Sequence, residues 1–215
     1  MEELLHIPQM LLIGSSGRNS GKTTLAIAMI QQWKNSFPIV GLKVTTIQER
    51  DGKCPRGGEG CGVCSSVKGN FEIVEETNPN VNKDTSFLLA AGAEKVYWLK
   101  TLKTHIYDGI KYFMTKTPPH TLIICESNSL RNVVRPGCFI MLKNTGNVPI
   151  KKSASEVMHK ADLIIDNNFK NNIHTIIEKI KIDKIQSDLA VTIKEAQVPE
   201  EIIKNFRVGE MKNNE

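Results

Sequence analysis

The 215-residue sequence predicts a single α/β domain spanning 1–215, with a mainly parallel sheet between two layers of helices in a three-layer αβα arrangement. Three observations carry that expectation. Short apolar runs alternate with segments whose apolar residues recur at helical spacing, the pattern of βαβ units. The first apolar run ends in a glycine-rich turn that opens directly into a helical segment. The alternation is broken once, at 48–70, by a stretch too rich in glycine and cysteine to be a core strand or helix.

In order, Met10 to Ile13 reads as the first strand, followed by the turn GSSGRNSGKTT and the helix LAIAMIQQWKN. Phe37-Pro38 stops that helix, and Ile39 to Val44 is a second buried strand. Residues 48–70 are an inserted Cys-rich loop. Regular elements resume with a helix at Thr85–Ala93, a strand at Lys95–Leu99 and a helix at Thr104–Lys116. Strands follow at Thr121–Cys125 and Cys138–Leu142, then a helix at Ser155–Lys160, a strand at Leu163–Asp166 and a helix from Asn171. The segment 184–215 is a C-terminal appendage, in which LAVTI suits an edge strand and PEEIIKNF a short helix with Pro199 in its first turn.

Composition narrows the function. Apolar residues make up 40% and charged residues 24%, ordinary for a chain that buries a core. No apolar run approaches the roughly 18 residues that span a bilayer, and the N-terminus lacks a basic segment followed by a cleavage site. The expected address is cytoplasmic, with no membrane partner. Of the net charge of +5, four units fall in residues 101–150, from scattered lysines and from Arg131 and Arg135. With 12 aromatic residues and no basic block, a nucleic-acid surface built on stacked bases is not expected.

The turn itself carries chemistry. In SGRNSGKT, Gly21-Lys22-Thr23 stands where the phosphate-binding pattern G-x-x-x-x-G-K-[ST] requires it, with Ser16 at the first position and Gly14 and Gly17 flanking it. Backbone N–H groups of Ser16, Gly17, Arg18, Asn19, Ser20 and Gly21 can converge on phosphate oxygens, and the helix that follows points its positive end there. Lys22 would bridge β- and γ-phosphates, Thr23 would coordinate Mg2+ through its hydroxyl, and Thr24 completes the site. These flanks define the P-loop nucleoside triphosphatase fold.

Such a loop needs a carboxylate at the end of a neighbouring strand to orient magnesium. TLIICE supplies one in Glu126. Asp84, in NKDTSFLLAAGA, reads as the cap of the helix it precedes, with the γ-phosphate as its other possible partner. Base recognition is not legible: Leu142-Lys143-Asn144 is a fragment of a guanine reader and Asp166-Asn167 is an alternative, so GTP and ATP both remain open.

Cys54, Cys61 and Cys64 have C-x6-C-x2-C spacing on a glycine-rich loop, suited to Zn2+ or an iron–sulfur cluster, or to a redox pair between Cys61 and Cys64. His105 is one candidate fourth ligand. Cys125 and Cys138 fall in apparent core strands and read as small apolar residues.

Across residues 9–126 the chain resembles the adapter proteins of molybdopterin-guanine dinucleotide biosynthesis, the MobB type. GSSGRNSGKTTLA resembles that family's N-S-G-K-T-T-L turn, KDTSFLLAAGAEKV its K-D-S/T…A-G-A stretch, and LIICES its apolar strand ending in Glu. The cysteine insert stands where the family has a His-rich stretch, which points to a divergent paralogue. The resemblance implies a homodimer that binds GTP with magnesium, hydrolyses it weakly at most, and assists a cofactor-biosynthesis enzyme. On it, Gly21, Lys22 and Thr23 hold phosphate and magnesium, and Glu126 takes the acidic role. The alternatives are a small-molecule kinase, for which Arg131 and Arg135 are the lid candidates, and a zinc or iron–sulfur module with a regulatory nucleotide site.

Overall fold

The computed structural model describes residues 4–18, 20–47, 67, 69–118, 120–144 and 149–167. Seven strands form one sheet in the order β3-β4-β2-β5-β1-β6-β7. They are β1 (Leu5–Ser15), β2 (Ile39–Ile47), β3 (Phe71–Glu76), β4 (Lys95–Leu102), β5 (Leu122–Glu126), β6 (Val134–Asn144) and β7 (Leu163–Asn167). Every pairing is parallel except that of β3 with β4. The helices are α1 (Lys22–Trp33), α2 (Asp84–Ala90), α3 (Ile106–Lys116) and the short α4 (Lys152–Ser155).

The central strands are apolar on both faces because both faces are covered, which is why they read as continuous runs rather than alternating ones. On one face, Leu11, Ile13, Ile124 and Ile140 pack with Leu25, Met29 and Ile30 of α1 and Leu88 of α2. On the other, Met10, Leu12, Leu42, Ile123 and Phe139 pack with Ile110 and Phe113 of α3, Leu130 and Val157. Cys125 and Cys138 lie on opposite faces of this core, both buried. Burial pushes the Cys125 thiol well above its ordinary range, so it is an inert apolar filler.

The α/β layering agrees with expectation, and the strands run longer than their apolar centres. The chain also contains an element that patterning did not announce. FEIVEE, just after the cysteine insert, is the antiparallel edge strand β3, half-exposed along its length and rich in acids that keep an edge from pairing further. The helix expected at Ser155–Lys160 is instead the single turn α4 followed by a 3-10 turn at Met158–Lys160. The expected elements beyond Asn167, the 184–215 appendage included, lie outside the described residues. None of the described helices is long and apolar enough to cross a membrane.

Candidate functional site

Parallel sheets place ligands at the carboxyl ends of their strands, where successive connections leave in opposite directions. Here β1 connects to β2 on one side, while β5 connects to β6 across β1 on the other. At that point β1 ends in Ser15 and the chain turns through 16–21 into α1. Gly21 caps the helix with φ of 79°, a left-handed conformation that glycine adopts without strain.

Ser16 explains its own departure from the glycine pattern. Its N–H donates to the Leu142 carbonyl at 2.8 Å, its carbonyl accepts from the Lys151 N–H at 2.9 Å, and its hydroxyl accepts from the Asn144 N–H at 3.0 Å. A glycine there would forfeit the third tie. At Gly17 a Cβ would stand 2.7 Å from Asn144 Nδ2, so a side chain there would displace the Asn144 carboxamide. Ser16 and Gly17 therefore anchor the turn from below, whereas Arg18, Ser20, Gly21, Lys22, Thr23 and Thr24 line a cleft of about 950 Å³. Asn19 lies outside the described residues.

Inside the cleft, Lys22 Nζ donates to Ser15 Oγ at 2.7 Å, folded back over the root of the turn. Thr23 Oγ1 donates to Glu126 Oε2 at 3.2 Å. Glu126 closes β5, only 4% exposed, and its Oε1 has no hydrogen-bond partner among the described residues. Burial holds the Glu126 carboxyl above its ordinary range and nearby Asp84 adds to this, although Lys43, Lys22 and the Thr23 hydroxyl oppose it. Burial likewise holds the Lys22 ammonium below its ordinary range, against the pull of Glu126.

Two further charges complete the cluster. Lys43 on β2 is the strand neighbour of Glu126 and forms an ion pair with Asp84. Asp84 is thus not the helix cap expected from sequence. Lys83 occupies the cap position without any side-chain cap, and Asp84 is the first helical residue, turned into the cleft. Sequence reasoning missed Lys43, yet a signal existed: it is the lone charge in the apolar strand IVGLKV. It also missed Asn128, whose carboxamide continues the β1 ladder. Oδ1 accepts from the Ser15 N–H at 2.8 Å, and Nδ2 donates to the Ser15 carbonyl at 2.9 Å. No pattern of apolar residues could reveal a side chain imitating a strand.

Other expected residues lie elsewhere. Arg131 donates to the Val134 carbonyl at 3.1 Å and sits over Phe139, while Arg135 pairs in register with His6 near the start of β1, far along the strand from the turn. Neither lines the cleft, and neither do Lys143, Asn144 and Asp166. His105 lies 3.1 Å from Asp108 through Nδ1. Cys54, Cys61 and Cys64 lie outside the described residues, and among the described residues no group of three or more His, Cys, Asp or Glu is arranged to hold a metal ion.

The donor set at Thr23 and Glu126 fits magnesium, a hard cation that takes oxygen ligands and keeps several waters. A buried carboxylate oxygen without a partner, beside a hydroxyl, is what such an ion would satisfy. Comparisons with protein families, with curated proteins and with solved structures found no match to this chain.

Proposed function

We propose that this protein binds a nucleoside triphosphate, GTP or ATP, with magnesium at the 16–24 turn and hydrolyses it slowly. In this reading it is a P-loop protein, and the nucleotide state acts as a switch in the biosynthesis of molybdopterin-guanine dinucleotide or the maturation of a related metal cofactor. It would work as a homodimeric adapter to the enzyme that completes that cofactor. The observation that carries the nucleotide reading is the convergence of Lys22, Thr23, Lys43, Asp84 and Glu126 on one cleft at the carboxyl edge of the sheet.

Each residue has a task that its surroundings support. Backbone N–H groups at the start of α1 and the Lys22 ammonium neutralise phosphate oxygens in a partly dry cleft, where charge-assisted hydrogen bonds are strongest. Lys22, which donates to Ser15 Oγ at the root of the turn, would exchange that partner for a phosphate oxygen. Thr23 and Glu126 would hold magnesium, which when bound screens the charge on the phosphates. Lys43 and Asp84, paired in the same cleft, would serve the γ-phosphate, Asp84 by orienting a water and Lys43 by offsetting the charge that builds up as the bond to the γ-phosphate breaks. Cys54, Cys61 and Cys64 would bind Zn2+ or an iron–sulfur cluster and couple metal state to the nucleotide.

The test is nucleotide binding by calorimetry with and without magnesium, joined to metal analysis and absorbance on anaerobically purified protein. Magnesium-dependent binding of a triphosphate that Lys22→Ala weakens by about tenfold or more is the expected result. Unchanged affinity in Lys22→Ala would sink the assignment. Metal that disappears in the Cys61→Ser, Cys64→Ser variant supports the coupling, and metal-free wild-type protein removes it.

A further inference from the structure

The end of β1 is held on its two sides by different means. Toward β6 the hydrogen bonding continues as backbone, with the Ser16 N–H donating to the Leu142 carbonyl at 2.8 Å. Toward β5 the backbone partner runs out sooner. The Ser127 N–H still donates to the Ile13 carbonyl at 3.0 Å. The chain then leaves the sheet for the 3-10 turn Ser129–Asn132, where the Leu130 N–H donates to Ser127 Oγ at 3.2 Å. The N–H and carbonyl of Ser15 face that departure, and the Asn128 carboxamide takes both, at 2.8 and 2.9 Å.

That pair of bonds needs an acceptor and a donor side by side, which a carboxamide has and an ionised carboxylate lacks. The sequence makes room for the group: at Gly14 a Cβ would stand 2.9 Å from Asn128 Oδ1. Nδ2 also donates to Ser153 Oγ at 3.3 Å, so the same carboxamide ties the segment 151–153 to the strand end. The residue it clamps is the one on which the lysine of the turn rests. Ser15, fully buried, donates from Oγ to the Gly17 carbonyl at 3.0 Å and accepts there from Lys22 Nζ at 2.7 Å. Asn128 stands two residues beyond Glu126. A single side chain thus joins the acid-bearing end of β5 to the seat of Lys22.

We propose that Asn128 is the positioning residue of the phosphate turn: by closing the β1 ladder at Ser15 it fixes the seat of Lys22 and the start of the turn before any ligand arrives. Its effect on triphosphate binding rests on the reading of the cleft given above, whereas the clamp on Ser15 exists without a nucleotide. Asn128 touches no phosphate in this role and acts through Ser15. A turn already held in one geometry loses less conformational freedom when an anion binds, so the clamp contributes affinity by preorganisation. Without it, the Ser15 N–H and carbonyl lose their partners, and the lysine loses a fixed base.

The experiment joins two measurements on the full chain. NMR hydrogen exchange follows the Ser15 amide without nucleotide, and calorimetry follows non-hydrolysable GTP and ATP analogues with magnesium. Asn128→Ala should speed Ser15 exchange about tenfold or more while Leu11, Leu12 and Ile13 keep their protection. It should also weaken triphosphate binding about tenfold. Asn128→Asp keeps the acceptor and lacks the donors, so it should leave the Ser15 amide slow and still weaken binding, which serves if the alanine variant does not fold. In a Lys22→Ala background, Asn128→Ala should cost clearly less than in wild type, because its effect passes through the seat of the lysine. Equal fold-losses in the two backgrounds would make Asn128 structural only and overturn the proposal, as would unchanged affinity in both Asn128 variants. A Ser15 amide that exchanges as fast in wild type as in Asn128→Ala also overturns it. If Asn128→Ala frees that amide but wild-type protein binds no triphosphate, the clamp stands and the nucleotide reading falls.

Discussion

Replacing Glu126 by Gln should make the protein more stable and less able to hold magnesium. The carboxylate is 4% exposed, and its Oε1 lacks a partner among the described residues. An unsatisfied buried polar group costs about 1–3 kcal/mol, more when charged, and the attraction of Lys43 and Lys22 returns part of it. Because burial prevails and the folded-state value lies above the ordinary 4.5, ionising Glu126 works against folding. The stability its neutral form provides is complete below pH 4.5 and is lost as pH rises through the raised folded-state value. Gln keeps the shape without the charge, so its variant should lack that step. At neutral pH it should gain about 1 kcal/mol, or about 2–4 °C in Tm for a chain of this size. Thermal melts across a pH series, with magnesium titrated separately by calorimetry, measure both halves. A Gln variant that melts below wild type at every pH, or that keeps full magnesium dependence, would refute the reasoning.

Further predictions concern neighbouring groups. Lys22→Ala removes a charge-assisted phosphate contact and should weaken triphosphate binding by about 10–150-fold, the equivalent of about 1.5–3 kcal/mol, while circular dichroism stays unchanged. Asp84→Asn breaks an ion pair whose carboxylate is 43% exposed, so stability should move by less than about 1 kcal/mol while the steady-state hydrolysis rate falls. Equal loss in both measurements would make Asp84 structural. Gly137→Ala should destabilise by about 1–3 kcal/mol or more in urea unfolding, because a Cβ there would lie 2.0 Å from the Pro8 carbonyl oxygen at the irregular step between β1 and β6.

Where sequence reasoning succeeded, the physics was local. A buried parallel strand needs apolar residues on both faces, and β5, buried at every position, announces itself. The left-handed Gly21 and the helix opening at Lys22 are written in the order of residue types. Where it fell short, the decisive interaction joined distant parts of the chain. Lys43 meets Asp84 across 41 positions, Ser15 meets Asn128 across 113, and Ser16 meets Asn144 across 128. Nothing within a window of neighbouring residues specifies such pairs. β3 escaped for another reason: an acidic, half-exposed edge strand has little apolar pattern to detect.

The ends of the cysteine-rich stretch carry a consequence for what it is. Ile47 lies beside Leu102 on one side of β4, and Asn70 accepts from the Leu102 N–H on the other. Two strand spacings, about 10 Å, separate those ends. Three or four extended residues at about 3.3–3.6 Å each would bridge such a gap. The chain spends 22 residues on it, positions 48–69. Closing a loop of that length rather than a minimal one costs only a few kcal/mol of chain entropy, since the cost grows with the logarithm of length. Joining β2 to β3 therefore accounts for only a small part of the length of this segment.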